Sequence, residues 1–251
     1  MKWFSKKETS IETPILYPED EMNIIEAHIA EHFGEFNKVF HEIVSADLHV
    51  DIAVIEPTEE RDYYTLVTMG MGAHRMNVPP ELVEYKLERS ELLICLPPDW
   101  KLDLGELEIQ GGDYDDEITD PNHPGHENWY WPTRWLKTIA RLPMDSNTWI
   151  GYGHTIPNGE NADPFAENTK FGCMILVPPV NFPQEAQVCE MPDGSQVNFY
   201  LMLPIHSEEM KFKLANGADD LFEKFSQDPE MDDRLLTLDI TRPVVADIQD
   251  K

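Results

Sequence analysis

The stretch HVDIAVIEPTEERDYYTLVTMGMG, residues 49–72, decides how this chain reads. Leu48, Val50, Ile52 and Val54 alternate with His49, Asp51 and Ala53, and a period of two puts the apolar set on one face of a strand. Residues 56–61, EPTEER, have the composition of a turn, and residues 63–69 return as a second strand. The centre of the fold is therefore a sheet.

Outward toward the N-terminus, Met22, Ile25, Ile29 and Phe33 recur at steps of three and four. That spacing predicts an amphipathic helix, with Asp20 as its cap and Gly34 as its terminator. Residues 39–43 begin another strand. Outward toward the C-terminus, residues 76–80 read as a loop and 81–89 as a helix. Residues 92–96 read as a short buried strand stopped by Pro97 and Pro98. Pro132 suits the first turn of a helix through Arg141 that puts Trp135, Leu136 and Ile139 on one side. Further strands are expected at 148–156, 171–177, 186–191 and 197–205, with Pro192-Asp193-Gly194-Ser195 as a hairpin turn. Ser207 is a candidate cap for a helix to Asn216. Met210 then occupies the position a capping box reserves for Glu or Gln. A last helix is expected over 218–225.

Strands and helices interleave without strict alternation and without repeats, which predicts a single mixed α+β domain with a central mixed or antiparallel sheet and flanking helices. The expected boundaries are an irregular lead-in over 1–19, the domain over 20–226, and an acidic tail over 227–251 with one apolar piece at 235–240. A chain of 251 residues has ample surface to bury and needs no covalent staples. Its three cysteines lack the spacing of a disulfide framework or a zinc site, which suits a reducing cytoplasm. No signal-peptide core follows MKWFSKKETS, and no apolar run reaches membrane-spanning length.

Charge is the dominant compositional fact: 48 acidic against 19 basic residues, net −29. Such a field repels nucleic acid phosphates and draws in basic partners. Acidic residues crowd 102–133, where no Lys or Arg occurs, and between 142 and 210 only Lys170 is basic. The middle of the chain is expected to present an acidic face.

Candidate chemistry is sparse. His49 and Asp51 share a strand face and could hold a metal with His74 or His154, against the plainer alternative of a hydrogen-bonded polar face. His123 and His126 flank a Pro-Gly turn and read as a solvated loop. There is no nucleophile elbow, phosphate loop or dinucleotide fingerprint, and no cofactor is implied. Trp129, Tyr130 and Trp131 cluster near Trp135. Trp135 is expected in the core, and Trp129 is a candidate partner anchor beside the acidic insert. Basic residues do not interleave with these rings, which argues against a nucleic acid platform.

Four segments in order carry a resemblance. They are residues 49–72, ELLICLPPDW at 91–100, PTRWLKTIARLP at 132–143, and TWIGYGHTI at 148–156. Together, over about 28–225, they resemble the bacterial branch of the Suppressor of fused family. The resemblance implies an α+β protein-binding domain without enzymatic activity, here without the second regulatory domain of animal members. Animal members clasp an extended peptide as an added strand. The matching region is residues 154–171, containing His154, Glu160, Asp163 and Glu167. Bacterial relatives resemble immunity proteins of polymorphic toxin systems. The expected partner is therefore a basic toxin, or an extended peptide, met by the loop over 154–171 and by an acidic insert that includes Asp113, Asp115 and Asp116. A general regulatory interaction module is the alternative, and a metal-dependent enzyme using His49, Asp51 and His154 is a distant third.

Overall fold

The central strands are apolar at both their odd and their even positions, so both faces of the sheet must be covered. The computed structural model describes residues 14–42, 45, 47–102, 118–227 and 231–247, with backbone only at 232 and 233. In chain order its elements are α1 (Glu19–His32), β1 (Lys38–Phe40), β2 (Asp51–Ile55), β3 (Tyr64–Met69), β4 (Ser90–Leu96), α2 (Glu127–Asp145), β5 (Thr155–Pro157) and β6 (Phe171–Val177). There follow β7 (Val188–Glu190), β8 (Gln196–His206), α3 (Ser207–Asn216), α4 (Ala218–Ser226) and α5 (Met231–Leu236). The sheet order is β1-β2-β3-β4-β8-β6-β5, with β7 pairing the first half of β8. Neighbours are antiparallel except β4 and β8, which are parallel. The α+β class read from the sequence is the class observed.

One core cluster joins α1, α3 and α4 to Ala53, Ile55, Val67, Leu93, Ile175 and Leu201. The other joins α2 to Ile52, Val54, Leu66, Ile94, Met174 and Met202. The face of β2 expected to be polar is therefore also covered: all five residues of the strand are buried, with Ala53 and Ile55 in one cluster with Ile25 and Ile29 of α1 and its cap Phe33, and Ile52 and Val54 in the cluster of α2. In β6, Gly172 forms a bulge that shifts the register between Phe171 and Cys173. The extra residue turns Phe171 to the α2 side, although its parity matches Cys173 on the other face. A Cβ at Gly172 would stand 1.9 Å from the Ala162 carbonyl oxygen, so only glycine permits this approach.

Several local readings change for identifiable reasons. α1 starts one residue before Asp20, with Pro18 in the cap position, and Glu19, Asp20 and Glu21 in its first turn complement the helix dipole. The helix expected over 81–89 is a 3-10 helix, Pro80–Tyr85, ended by left-handed Lys86. α2 begins five residues ahead of Pro132. That proline cannot donate to the Asn128 carbonyl, and the Asn168 side chain donates to it instead at 2.9 Å. Of 148–156 only the end is strand, because Gly151 and Gly153 form a turn closed by His154 N donating to Gly151 O. The strand expected over 186–191 divides into a 3-10 helix, Gln184–Gln187, and β7. The cap of α3 is His206 rather than Ser207. Counted from there the third residue is Glu209, whose carboxylate accepts from His206 N at 2.9 Å.

Glu209 also fixes the C-terminal stretch. Arg242 donates to both of its oxygens at 2.7 Å, and the two side chains are 1% and 0% exposed. The guanidinium lies 5.0 Å from the Phe171 ring and 5.2 Å from the Phe225 ring. Removing one partner of such a pair leaves a buried charge uncompensated. Arg242→Met is expected to cost about 3–5 kcal/mol in urea unfolding. A loss within about 0.5 kcal/mol, the range of surface changes, would show that this stretch contributes nothing to the fold.

Candidate partner-binding surface

β5 is the last strand of the sheet, and the residues on either side of it build the candidate surface. After Pro157 the chain folds back on itself. Asn158 N donates to Gly172 O at 2.7 Å, Asp163 N to Asn158 O at 2.9 Å, and Phe165 N to Phe171 O at 2.9 Å. The Asn158 side chain donates to the carbonyls of Asp163 and Pro164 at 2.9 and 3.1 Å. Phe165 is buried and stacks on Trp131 with ring centres 5.1 Å apart. The loop is thus a shaped feature, pinned by an aromatic plug, that leaves Glu160, Asp163 and Glu167 exposed.

Glu167 lines a cavity of about 650 Å³ together with Glu127, Asn128, Tyr130 and Arg134 of α2. The loop and the start of α2, distant in sequence, therefore form one wall. Trp129 stands beside it, half-buried, with its indole N–H donating to Pro121 O at 2.8 Å. Trp100 meets it edge-on at 5.2 Å, and the Lys101 ammonium lies 4.7 Å from its ring centre. Trp135 is in the core, as its helical spacing indicated. Asp113, Asp115 and Asp116 lie outside the described residues.

His154 precedes β5, half-buried, with its ring 4.4 Å from that of Trp149. Burial lowers its pKa, and the nearby Lys213 charge acts in the same direction. His49 and Asp51 sit at the far side of the sheet. Asp51 accepts from Glu42 N at 2.8 Å and bonds His49 Nε2 at 3.1 Å and His41 Nδ1 at 3.0 Å. Between β2 and β5 lie β3, β4, β8 and β6, five strand spacings or about 24 Å. His154 therefore cannot complete a metal site with His49 and Asp51. Among the described residues no group of three or more His, Cys, Asp or Glu could hold a metal ion, and no helix is long and apolar enough to cross a membrane.

Sequence reading missed the second tier around Asp51. Glu42 accepts from Ser45 Oγ at 2.6 Å and from Arg141 at 2.6 Å, and Ser45 Oγ lies 2.9 Å from His49 Nδ1. Arg141 comes from α2, far along the chain, and no local spacing could announce it.

A family model described as Suppressor of fused protein (SUFU) matches residues 46–243. No curated protein sequence matches. Among solved structures, a homologue of that family from Neisseria gonorrhoeae superposes with TM-score 0.57 at 18% identity, covering 91% of this chain and 98% of its own. A chain of a Sufu–Fu complex does so with TM-score 0.56 at 14% identity, over 92% of this chain and 93% of its own. Drosophila Suppressor of fused gives TM-score 0.53 at 15% identity, and the match spans 93% of this chain but 52% of that one.

The depressed His154 pKa has a definite sign. A histidine in the unfolded chain titrates near 6.5, so below that pH the unfolded state binds more protons and stability falls. His154→Gln is expected to remove part of the loss of stability seen between about pH 7 and pH 5. The His154 ring protons should titrate with a midpoint below about 6.5 in NMR spectra; a midpoint above it would contradict the packing against Trp149.

Proposed function

Because the chain belongs to the Suppressor of fused family, we propose that it is a non-enzymatic binding protein that sequesters a basic protein, in the manner of an immunity protein and its toxin. The observation that carries this reading is the distribution of charge. The chain is at −29, and from residue 142 to 210 Lys170 is its only Lys or Arg. Within that span a pinned loop holds Glu160, Asp163 and Glu167 in solvent. An acidic surface of this kind accelerates encounter with a cationic partner and disfavours acidic competitors.

Asp113, Asp115 and Asp116 would add their charge to the attraction of such a partner, and Trp129 and His154 would meet it beside the loop. An extended peptide could add to β5, the terminal strand. Pro157 has no N–H to offer it, so the ladder would be short and the acidic loop would supply much of the selectivity. A general regulatory interaction module is the second reading. It is favoured by the Sufu chain of similar fold that was crystallised with Fu, a protein partner. An enzyme built on His49, Asp51 and His154 is disfavoured by their places at opposite sides of the sheet.

The test is affinity capture from the source lysate at low and high salt, repeated with two charge-reversed proteins. One carries Asp113, Asp115 and Asp116 changed to Lys; the other carries Glu160, Asp163 and Glu167 changed to Lys. A basic toxin retained at low salt should bind each variant about tenfold or more weakly, with a flatter salt dependence. Equal affinity and equal salt dependence in both variants would refute the acidic surface. Salt-independent capture of near-neutral proteins would move the assignment to a regulatory module.

A further inference from the structure

A second surface, on the α1/α3/α4 side of the sheet, is apolar where the first is charged. Leu203 and Phe225, both core residues, form the floor of an open groove of about 570 Å³. Tyr152 makes one wall. Its ring stacks on Phe222 at 6.1 Å, and its hydroxyl donates to Asp219 at 3.4 Å. Leu235 of α5 makes another. The third is Val180, 66% exposed, on a loop braced by Val180 N donating to Pro178 O at 2.8 Å and Phe182 N to Pro179 O at 3.0 Å. Two prolines and two hydrogen bonds thus hold an aliphatic side chain in water. That arrangement costs solvation while free and loses little entropy on contact. Tyr152 is itself 51% exposed, so the mouth of the groove is an apolar patch and not a buried void.

The chemistry around the patch selects its occupant. Among the described residues no Lys or Arg lines it. Asp219 and Glu223 stand exposed on α4 within a turn of Phe222 and Ser226, while Lys224 of the same helix is turned toward the Phe212 ring, 5.9 Å away. We propose that this groove docks a basic amphipathic segment of a partner protein, with apolar side chains on the Leu203–Phe225 floor and Lys or Arg against Asp219 and Glu223. A second copy of this chain is the poorer occupant, since two chains at −29 would bring like charges together. An anionic lipid surface is repelled for the same reason. The groove is independent of the acidic loop, so either can fail without the other.

The probe is a fluorescein-labelled Leu/Lys peptide in amphipathic helical order, titrated into the full chain and followed by anisotropy. A scrambled peptide of the same composition and a Leu/Glu counterpart serve as comparisons. The amphipathic cationic peptide should bind about tenfold or more tightly than the scrambled one, and the acidic peptide should not bind. Val180→Asp alters an exposed side chain, so the fold should hold. It should weaken the cationic peptide about tenfold or more, as loss of an interface anchor does. Asp219→Lys with Glu223→Lys should weaken it and flatten its salt dependence. Equal binding of the scrambled peptide would overturn the proposal by tracing binding to net charge alone. Unchanged affinity in Val180→Asp, with unchanged circular dichroism and melting temperature, would overturn it by removing the groove.

Discussion

The parallel pairing of β4 with β8 is the join on which the remainder of the fold depends. It covers only Ser90–Leu93 against Asn198–Leu201, yet it unites the antiparallel strands β1–β4 with the antiparallel set β5–β8. Parallel neighbours need a long crossover, and α2 lies within it, covering one face of the sheet. Side chains secure the start of the join. Asn198 donates through N and Nδ2 to Arg89 O at 2.9 and 3.1 Å. Beside it the β3–β4 ladder ends at Val67 and Leu93, and the fully buried Glu91 carboxylate accepts from Tyr17 Oη, Thr68 Oγ1, Gly70 N and Gly72 N. Past Leu93 and Leu201 the two strands no longer pair with each other, and each runs on against its other neighbour, β4 against β3 and β8 against β6. The C-terminal stretch meets both there, with Leu238 N donating to Cys95 O at 2.9 Å and Arg242 Nη2 donating to Pro204 O of β8 at 3.4 Å. Stability at the join and placement of the C-terminus are the same physical problem.

That solution uses up cations. Arg89 pairs with Glu21, Arg141 with Glu42, Arg234 with Asp239 and Arg242 with Glu209. Arg75 and Arg134 bind Asp193 and Glu127, and Arg61 donates to the Phe33 carbonyl. Every arginine of the sequence is therefore engaged inside the molecule. Each internal pair also removes one carboxylate, so the net charge is unchanged. What changes is its character: the basic groups left to meet a partner are mainly lysines, while Glu160, Asp163 and Glu167 remain in solvent. The surface is more uniformly acidic than the composition alone conveys.

Strand positions were legible where alternation or a continuous apolar run was long. Residues 171–177 are strand as expected, and 63–69 and 197–205 differ from β3 and β8 by only a residue at their ends. What failed depended on tertiary contacts. Pro132 looks like a helix start because its missing N–H is harmless there. Asn168, from another part of the chain, makes it harmless six residues into α2. The polar side of β2 is buried because α1 covers it, which periodicity within β2 cannot reveal. The capping box at α3 was hidden by one residue of register, since His206 is an uncommon cap. For the candidate surface, the exposed acids of the 154–171 loop were legible as composition. Their union with α2 was not, because it depends on the bulge at Gly172 and the stacking of Phe165 on Trp131.

Charge alone makes a poor discriminator. A field of −29 attracts any polycation and mainly raises association rates, whereas differences between partners are expressed in dissociation and require desolvated, well-packed contacts. The aromatic residues near the acidic loop are mostly spent on the fold. Trp131 and Trp135 are buried, and Trp129 is held by Pro121, Trp100 and Lys101. Tyr152 and Val180 are large apolar side chains that remain exposed beside the apolar groove. Tyr152 lies two residues before His154, in the turn that leads into β5 and the acidic loop, and its hydroxyl reaches Asp219 on α4. A short turn, closed by His154 N donating to Gly151 O, therefore links the charged loop to the apolar groove along the chain. A basic partner drawn in by the first would find the contacts that set its residence time within reach of the second.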